Sequence, residues 1–547
     1  MTIDTTVDDP IKIPNPETKN DEYLPTHTPT PKQAIISFQS KTLLSKENAE
    51  IVLDDILRNL LPSLFSTFKY QESQDSLKLH ERKERYKREK EEMIKIPIAI
   101  AIVKLLQKLP KRYMDSNLPK LFFKVIIFLK SNLKQVRSVA RETLQSILLS
   151  LGPSFLTETL KHLKDILTRG FQRHVLMVTV YTILDAMKDQ LKTDNVDEIL
   201  QIVLNMCIND IFGFMAEEKE VASVTSKTPE AKPSAKSYLI LQILASNMSE
   251  KSTLDIIMPF KEIVSKTQSR KTVSKVQEAL NKISSGICAN QNINTESMLI
   301  LVFGITSSSS LDLASRSKIT TQPEKKIDRI KPKSYDNLLI PAEPKRIGAN
   351  SQISLVAGRK SNSYVFLEMG LEILLTLLRR NEVALSEYTS FLEPLTAIII
   401  ESMNSNHTKV TVLGIKCISS IWSSRLELPS VEANIEKIVE SLLKVLHQYA
   451  TAVIGCNDEN FQLIKSSFKA VVTLLKHVKY FKISEDQLKV LLLYVEQDLQ
   501  HYEKQNMALL LLKSIIGRKL NTNEIASIIK NVAELSITSE YTKIRYG

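Results

Sequence analysis

The sequence predicts an all-α protein, a helical-repeat solenoid (α-α superhelix) in two blocks separated by a long flexible insertion. Three observations carry this. Glycine is scarce, 12 residues in 547, while Leu, Ile, Lys and Glu abound, a composition that favours helix almost throughout. Apolar residues recur at steps of three and four along the chain, the period of one helix face. Finally, a single core stops growing at roughly 250–300 residues, so a chain this long is either several domains or an elongated array.

In order along the chain, residues 1–42 hold six prolines (Pro10, Pro14, Pro16, Pro25, Pro29, Pro31) and read as a disordered segment. The first block, 43–305, opens with an amphipathic helix pair over 43–70. A polar run follows at 71–93, where Glu81, Glu84, Glu89, Glu91 and Glu92 nearly cancel the basic residues, so it reads as a solvated loop. Apolar helices are then predicted at 97–109, 118–130, 133–151, 153–167 and 171–190, with gaps short enough to stack them as antiparallel neighbours. A second polar loop lies near 216–236, with Pro229 and Pro233. Residues 306–362 show no sustained period and are longer than an ordered loop normally runs, so they form the insertion. Residues 363–547 are the second block.

One pattern occurs twice. Residues 131–144 read SNLKQVRSVARETL and 405–418 read SNHTKVTVLGIKCI, with Val136 or Val410, Ala140 or Gly414, and Leu144 or Ile418 in the same register. An apolar row at i, i+4 and i+8 with a small centre marks a buried stripe that a partner helix approaches closely. Looser rows occur at Val273, Val276, Leu280 and Ile283, and at Ile464, Phe468 and Val472. A helix pair of roughly 40–47 residues whose second helix reads V-R-x-x-A-x-x-x-L resembles a HEAT repeat. Val136, Arg137, Ala140 and Leu144 match it; at the second copy Thr411 stands where the Arg would be. Such pairs bury their apolar faces only by stacking.

The chemistry of catalysis is not visible. There is no phosphate-cradling glycine loop, no H-E-x-x-H and no G-x-S-x-G, and the eight histidines lack metal-ligand spacing, so neither an enzyme nor a cofactor or metal is expected. Cys207, Cys288, Cys417 and Cys456 stand far apart in apolar settings and read as buried small hydrophobes. There is no secretory leader, and charges interrupt every apolar run short of a membrane span, so a soluble intracellular protein without membrane or small-molecule partners is expected.

Binding is better signalled. Lysine and arginine total 73 against 61 acidic residues, a net charge of +12, which suits a polyanionic partner. Within the insertion, Lys325, Lys326, Arg329, Lys331, Lys333, Lys345, Arg346, Arg359 and Lys360 form a basic strand that could follow a phosphate backbone; a soluble linker explains the same composition. Lys108, Lys111 and Arg112, with Lys120, form a second cluster in the connection KLPKRYMDSNLPK, expected on the same solenoid edge as Arg169 and Arg173. Ordinary solvation of loop edges accounts for these equally well.

The blocks KIPIAIAIVKLLQKLP, LPKLFFKVIIFLKSNLKQVRSVARETLQSILLSLG, LKHLKDILTRGFQRHVLMVTVYTIL, NDIFGFMAEEKEV and AGRKSN leading into SYVFLEMGLEILL together resemble the small nucleolar RNA-associated protein twenty family, also called down-regulated in metastasis. The resemblance covers roughly residues 95–380 and continues more faintly to about 540; LTRGFQRHVL and DIFGFMAEEKEV are its most specific parts. It implies a nucleolar HEAT-repeat scaffold of the small-subunit processome, without enzymatic activity, that binds pre-ribosomal RNA, small nucleolar ribonucleoprotein assembly factors and other processome proteins. Family members are several times longer, so the chain is expected to be a C-terminal-region piece, truncated at SEYTKIRYG. The alternative is a HEAT-type adaptor or transport receptor that binds proteins and no RNA.

Within LTRGFQRHVL, Gly170 suits the left-handed residue that closes a helix, Arg169 suits its exposed carbonyls, and Val175 and Leu176 begin a buried stripe. Arg173 and His174 have no such explanation in the sequence, and are candidate partner contacts.

Overall fold

The structure is a computed structural model that describes residues 46–67, 91, 93–168, 171–213, 230, 236–317, 362–380, 386–449, 459–499, 502–519 and 523–538. The expected disordered segment 1–42, most of the polar loops and the basic stretch 325–360 lie outside these. No strand occurs among the described residues. The chain divides into two units, Met1–Phe65 and Ser66–Gly547.

In the first unit, α1 (Lys46–Asp55) and α2 (Leu61–Ser66) are one helical run with a π-turn at Ile56–Leu60 between them, where two helices were expected. Pro62 explains the turn. It has no N–H to give, and the run widens just before it, with the Leu61 N–H donating to the carbonyl of Ile56, five residues back.

The second unit is a stack of helices that alternate strictly between two layers. The first layer holds α3 (Ile98–Leu106), α5 (Lys134–Leu151), α7 (Gln172–Met187), α9 (Lys236–Asn247), α11 (Arg270–Ala289), α13 (Tyr364–Arg379), α15 (Thr408–Ser423), α18 (Glu459–His477) and α20 (Tyr502–Gly517). The second holds α4 (Lys111–Ile127), α6 (Leu156–Ile166), α8 (Thr193–Phe212), α10 (Thr253–Lys266), α12 (Thr295–Ser317), α14 (Thr389–Met403), α17 (Ile435–Tyr449), α19 (Glu485–Leu499) and α21 (Asn523–Thr538), with the short α16 (Pro429–Ala433) before α17. Every first-layer helix packs on the next first-layer helix, an unbroken series from α3 to α20. In the second layer, α4–α6–α8, α12–α14–α17 and α19–α21 pack in the same way. Helices that contact their sequence neighbours and next-but-one neighbours are what a solenoid of helix pairs requires, and the HEAT-like reading holds.

Three second-layer helices carry an interior proline: Pro119 in α4, Pro259 in α10 and Pro394 in α14. Helix α4 therefore begins seven residues before the expected start at Leu118. The chain breaks at Pro110, whose backbone is extended at φ −53° and ψ 138°. Pro119 is tolerated inside the helix because Asp115, whose carbonyl it leaves without a donor, is exposed to solvent. Helix α12 also runs further than expected, through TSSSS to Ser317. There the hydroxyls turn back on the helix: Thr306 Oγ1 donates to the Val302 carbonyl at 2.7 Å and Ser309 Oγ to the Ile305 carbonyl at 2.9 Å.

The repeated pattern is a repeated structure. Ser131 Oγ accepts from the Leu133 N–H at 3.1 Å, and Ser405 Oγ accepts from the His407 N–H at 3.2 Å. Val136, Ala140 and Leu144, and likewise Val410, Gly414 and Ile418, are buried. Arg137 Nη1 donates to the Ser131 carbonyl at 3.0 Å, and at the equivalent place Thr411 Oγ1 donates to the Ser405 carbonyl at 3.0 Å. The threonine thus serves the acceptor that the arginine serves in the first copy. Cys207, Cys288 and Cys417 are buried, as expected, and outside any disulfide, and burial pushes the Cys417 thiol up to about 12; Cys456 lies outside the described residues.

Candidate nucleic-acid interface

The corner between α6 and α7 is built around a buried arginine. Arg137, 2% exposed at the start of α5, donates Nε and Nη2 to the two carboxylate oxygens of Glu230 at 3.0 and 2.7 Å. Its Nη1 also donates to the Asn132 carbonyl at 3.0 Å, and its guanidinium lies 5.6 Å from the centre of the Phe171 ring. Arg141, one turn on, approaches the same carboxylate at 3.5 Å. Burial alone would raise the Glu230 pKa, but the hydrogen bonds and charge of Arg137, joined by Arg141, hold it below the usual carboxylate range. Burial lowers the Arg141 pKa, against the opposing pull of Glu230.

Arg173 and His174 belong to this corner structurally. Arg173 is exposed, and its Nε donates to the Thr168 carbonyl at 2.5 Å, closing the end of α6. His174 is 1% exposed, inside the packed face of α7. A side chain so enclosed cannot meet a partner, which corrects its expected role. Arg169 and Gly170 lie outside the described residues. Replacing Arg173 with alanine is expected to cost about 0.5–1.5 kcal/mol, read by thermal unfolding, since one hydrogen bond at an exposed helix end is lost.

The opening residues of DIFGFMAEEKEV, Asp210–Gly213, are packed at the end of α8, and the rest of the stretch lies outside the described residues. Ser237 Oγ, at the start of α9, donates to Asp210 Oδ2 at 2.5 Å, and Phe212 meets Phe260 edge-on at 6.2 Å. Asp210 thereby ties the end of α8 to the start of α9.

Lys108, Lys111, Arg112 and Lys120 are exposed. Lys111 and Arg112 form the first turn of α4, where cations oppose the helix dipole and exposed backbone N–H groups favour an anion. Arg112 Nη2 donates to the Tyr113 hydroxyl at 2.9 Å. The expectation that this cluster shares an edge with Arg173 is wrong. Because the helices alternate in direction, the α3–α4 turn falls at the end where α3 and α5 finish, shown by Gln107 Nε2 donating to the Ser150 carbonyl at 2.9 Å. The α6–α7 corner falls where α5 and α7 begin, shown by Arg137 over Phe171. These ends are separated by about the length of a helix, roughly 25 Å for the 17 residues of α4. Lys325, Lys326, Arg329, Lys331, Lys333, Lys345, Arg346, Arg359 and Lys360 lie outside the described residues. Among the described residues no group of three His, Cys, Asp or Glu is placed to hold a metal ion, and no helix is long and apolar enough to cross a membrane.

Residues 85–306 match the family described as the U3 small nucleolar RNA-associated protein 20 domain. The chain is 24% identical over 452 residues to the U3 small nucleolar RNA-associated protein 20 of Schizosaccharomyces pombe, and 26% identical over 451 residues to that of Saccharomyces cerevisiae. These alignments cover 83% and 82% of the chain but 17% of each relative, so the chain spans about a sixth of their length. The crystal structure of the karyopherin Kap121p bound to the SUMO protease Ulp1p overlays on 90% of the chain and 50% of its own, at 13% identity and a TM-score of 0.36, too distant to bear on function.

Proposed function

We propose, from the match of residues 85–306 to the U3 small nucleolar RNA-associated protein 20 domain and the likeness to two relatives of that name, that the chain is a member of that family and acts in the nucleolus as a non-enzymatic scaffold of the small-subunit processome. It serves pre-rRNA processing and small-subunit biogenesis by holding pre-ribosomal RNA and assembly factors along its helical stack. The observation that carries this is the family match itself; within it, Arg173 ties the start of α7 to the end of α6, and Asp210 ties the end of α8 to the start of α9. Exposed Lys108, Lys111 and Arg112 and a net charge of +12 suit a phosphate backbone.

Crosslinking the chain to RNA in cells and sequencing what it holds tests the reading. Recovery of pre-ribosomal spacer and small-subunit rRNA is the expected result. Recovery of protein partners with no RNA above background would replace the scaffold by a protein-binding adaptor.

A further inference from the structure

Three first-layer helices, α13, α15 and α18, leave between them a cavity of about 480 Å³. Its lining differs from that of the core. Arg379, Lys416, Lys465 and Lys469 face it together with five serines and Gln462, Leu378 is its sole apolar member, and no carboxylate takes part. Among the described residues none of the four cations forms an ion pair. Lys465 and Lys469 are exposed and one turn apart, as solvated lysines commonly are. Lys416 is different. It is half-buried on α15, and burial and the like charge of Arg379, reinforced by Lys469, lower its pKa against the pull of Glu372. Arg379 is exposed like the two lysines, so Lys416 alone is partly desolvated among three like charges, with Glu372 the one carboxylate opposing them, a setting that an added anion would relieve.

The lining says which anion. Its charged groups are all donors, and the serine hydroxyls and Gln462 can donate as well, so the ligand must be rich in acceptors and multiply charged. A protein partner would anchor with buried aromatic or aliphatic side chains, and the cavity gives it only Leu378 to meet. No aromatic ring lines the cavity, so bases have nothing to stack on. Lysine, arginine, serine and glutamine are the side chains that meet phosphate oxygens without reading sequence.

We infer that this cavity holds consecutive backbone phosphates of an RNA strand and does not read its bases. The inference rests on the RNA-binding scaffold reading and adds to it a place and a mode of contact.

The test uses the full chain and its double variant Lys416→Gln/Lys469→Gln, with binding to short labelled oligouridine and oligoadenosine followed by fluorescence anisotropy over a range of salt. The variant is expected to bind both strands on the order of ten-fold more weakly at low salt, with the slope of log K against log salt reduced by about 1.4, two single-strand phosphate contacts. Its Tm without RNA is expected to equal or exceed that of the parent, because like charges have been removed; a lower Tm would mean that the lysines serve only the fold and would overturn the inference. A parent that binds RNA and a variant with an unchanged slope would remove the cavity and leave the scaffold reading standing. A parent that binds no RNA would remove both. Displacement of RNA by polyglutamate as readily as by polyphosphate would assign the cavity to an acidic protein segment instead.

Discussion

Replacing Glu230 with alanine is expected to lower the unfolding free energy by about 3–5 kcal/mol, the usual consequence of leaving one partner of a buried ion pair behind. Arg137, 2% exposed in the parent, would be left holding a full charge with the carbonyls of Ser131 and Asn132 and the face of Phe171 to meet it. The cost comes from the stranded charge and says little about the net worth of the pair. Replacing both residues with apolar ones of similar size, Arg137→Met with Glu230→Leu, should therefore recover most of the loss, and denaturant unfolding of the single and double variants measures it. A fully additive double variant would mean that the two side chains do not depend on each other.

The same pair gives a pH dependence of fixed sign. The Glu230 carboxyl titrates below its ordinary value in the folded chain, so folding is favoured by the ionised form. This contribution is fully present above the unfolded glutamate value, about 4.3, and is lost as pH falls through the lower folded value. The stability gap between the parent and Glu230→Gln should accordingly be constant near neutral pH and close under acid. A gap that stays the same at every pH down to acid unfolding of the parent would show that the carboxylate charge is not what the arginines hold.

Gly414→Ala is expected to cost about 1–3 kcal/mol, although alanine is the better helix former. A Cβ at this position would collide with Ser402 Oγ on α14 and come within 3.2 Å of the Ile399 carbonyl. The hairpin helices α14 and α15 cross here with no room for a methyl group. Adding Ser402→Ala removes the closer obstacle, so the double variant should regain a large part of the loss in a thermal melt, with the backbone carbonyl accounting for the rest. If Gly414→Ala alone is neutral or stabilising, the close approach is not what selects glycine.

Which of these features the sequence reveals depends on how local their cause is. The stripe Val136, Ala140, Leu144 and the helices around it are legible because period and burial are properties of a single segment. The start of α4 is less so, since two prolines compete to end the preceding turn and only tertiary placement decides for Pro110. The serines after Thr306 look like a linker by composition, yet Ser308 and Ser309, like Thr306, turn their hydroxyls back to carbonyls within the helix. Least legible is the partner of Arg137, which lies 93 residues away in a stretch read only as a polar loop. His174 looked accessible because its neighbours are polar, but it falls on the packed face of α7. The cavity cations escaped notice because they come from three helices, and none of those helices carries a run of charge. Thr411 shows a further limit: what the two repeats share at this place is a backbone acceptor, and a comparison of side chains sees only that arginine has been lost.

Helix α12 ends at Ser317 and α13 begins at Tyr364, yet α13 packs directly on both α11 and α12. The stack therefore continues from α12 to α13 through direct helix–helix packing. When the two ends of a connection are held together by packing in this way, the entropy of closing it grows only with the logarithm of its length, about 0.6 kcal/mol for each doubling. The number of residues between these two helices is thus close to a free variable. By this entropy alone, chain can be gained or lost there at little energetic consequence to the repeats on either side.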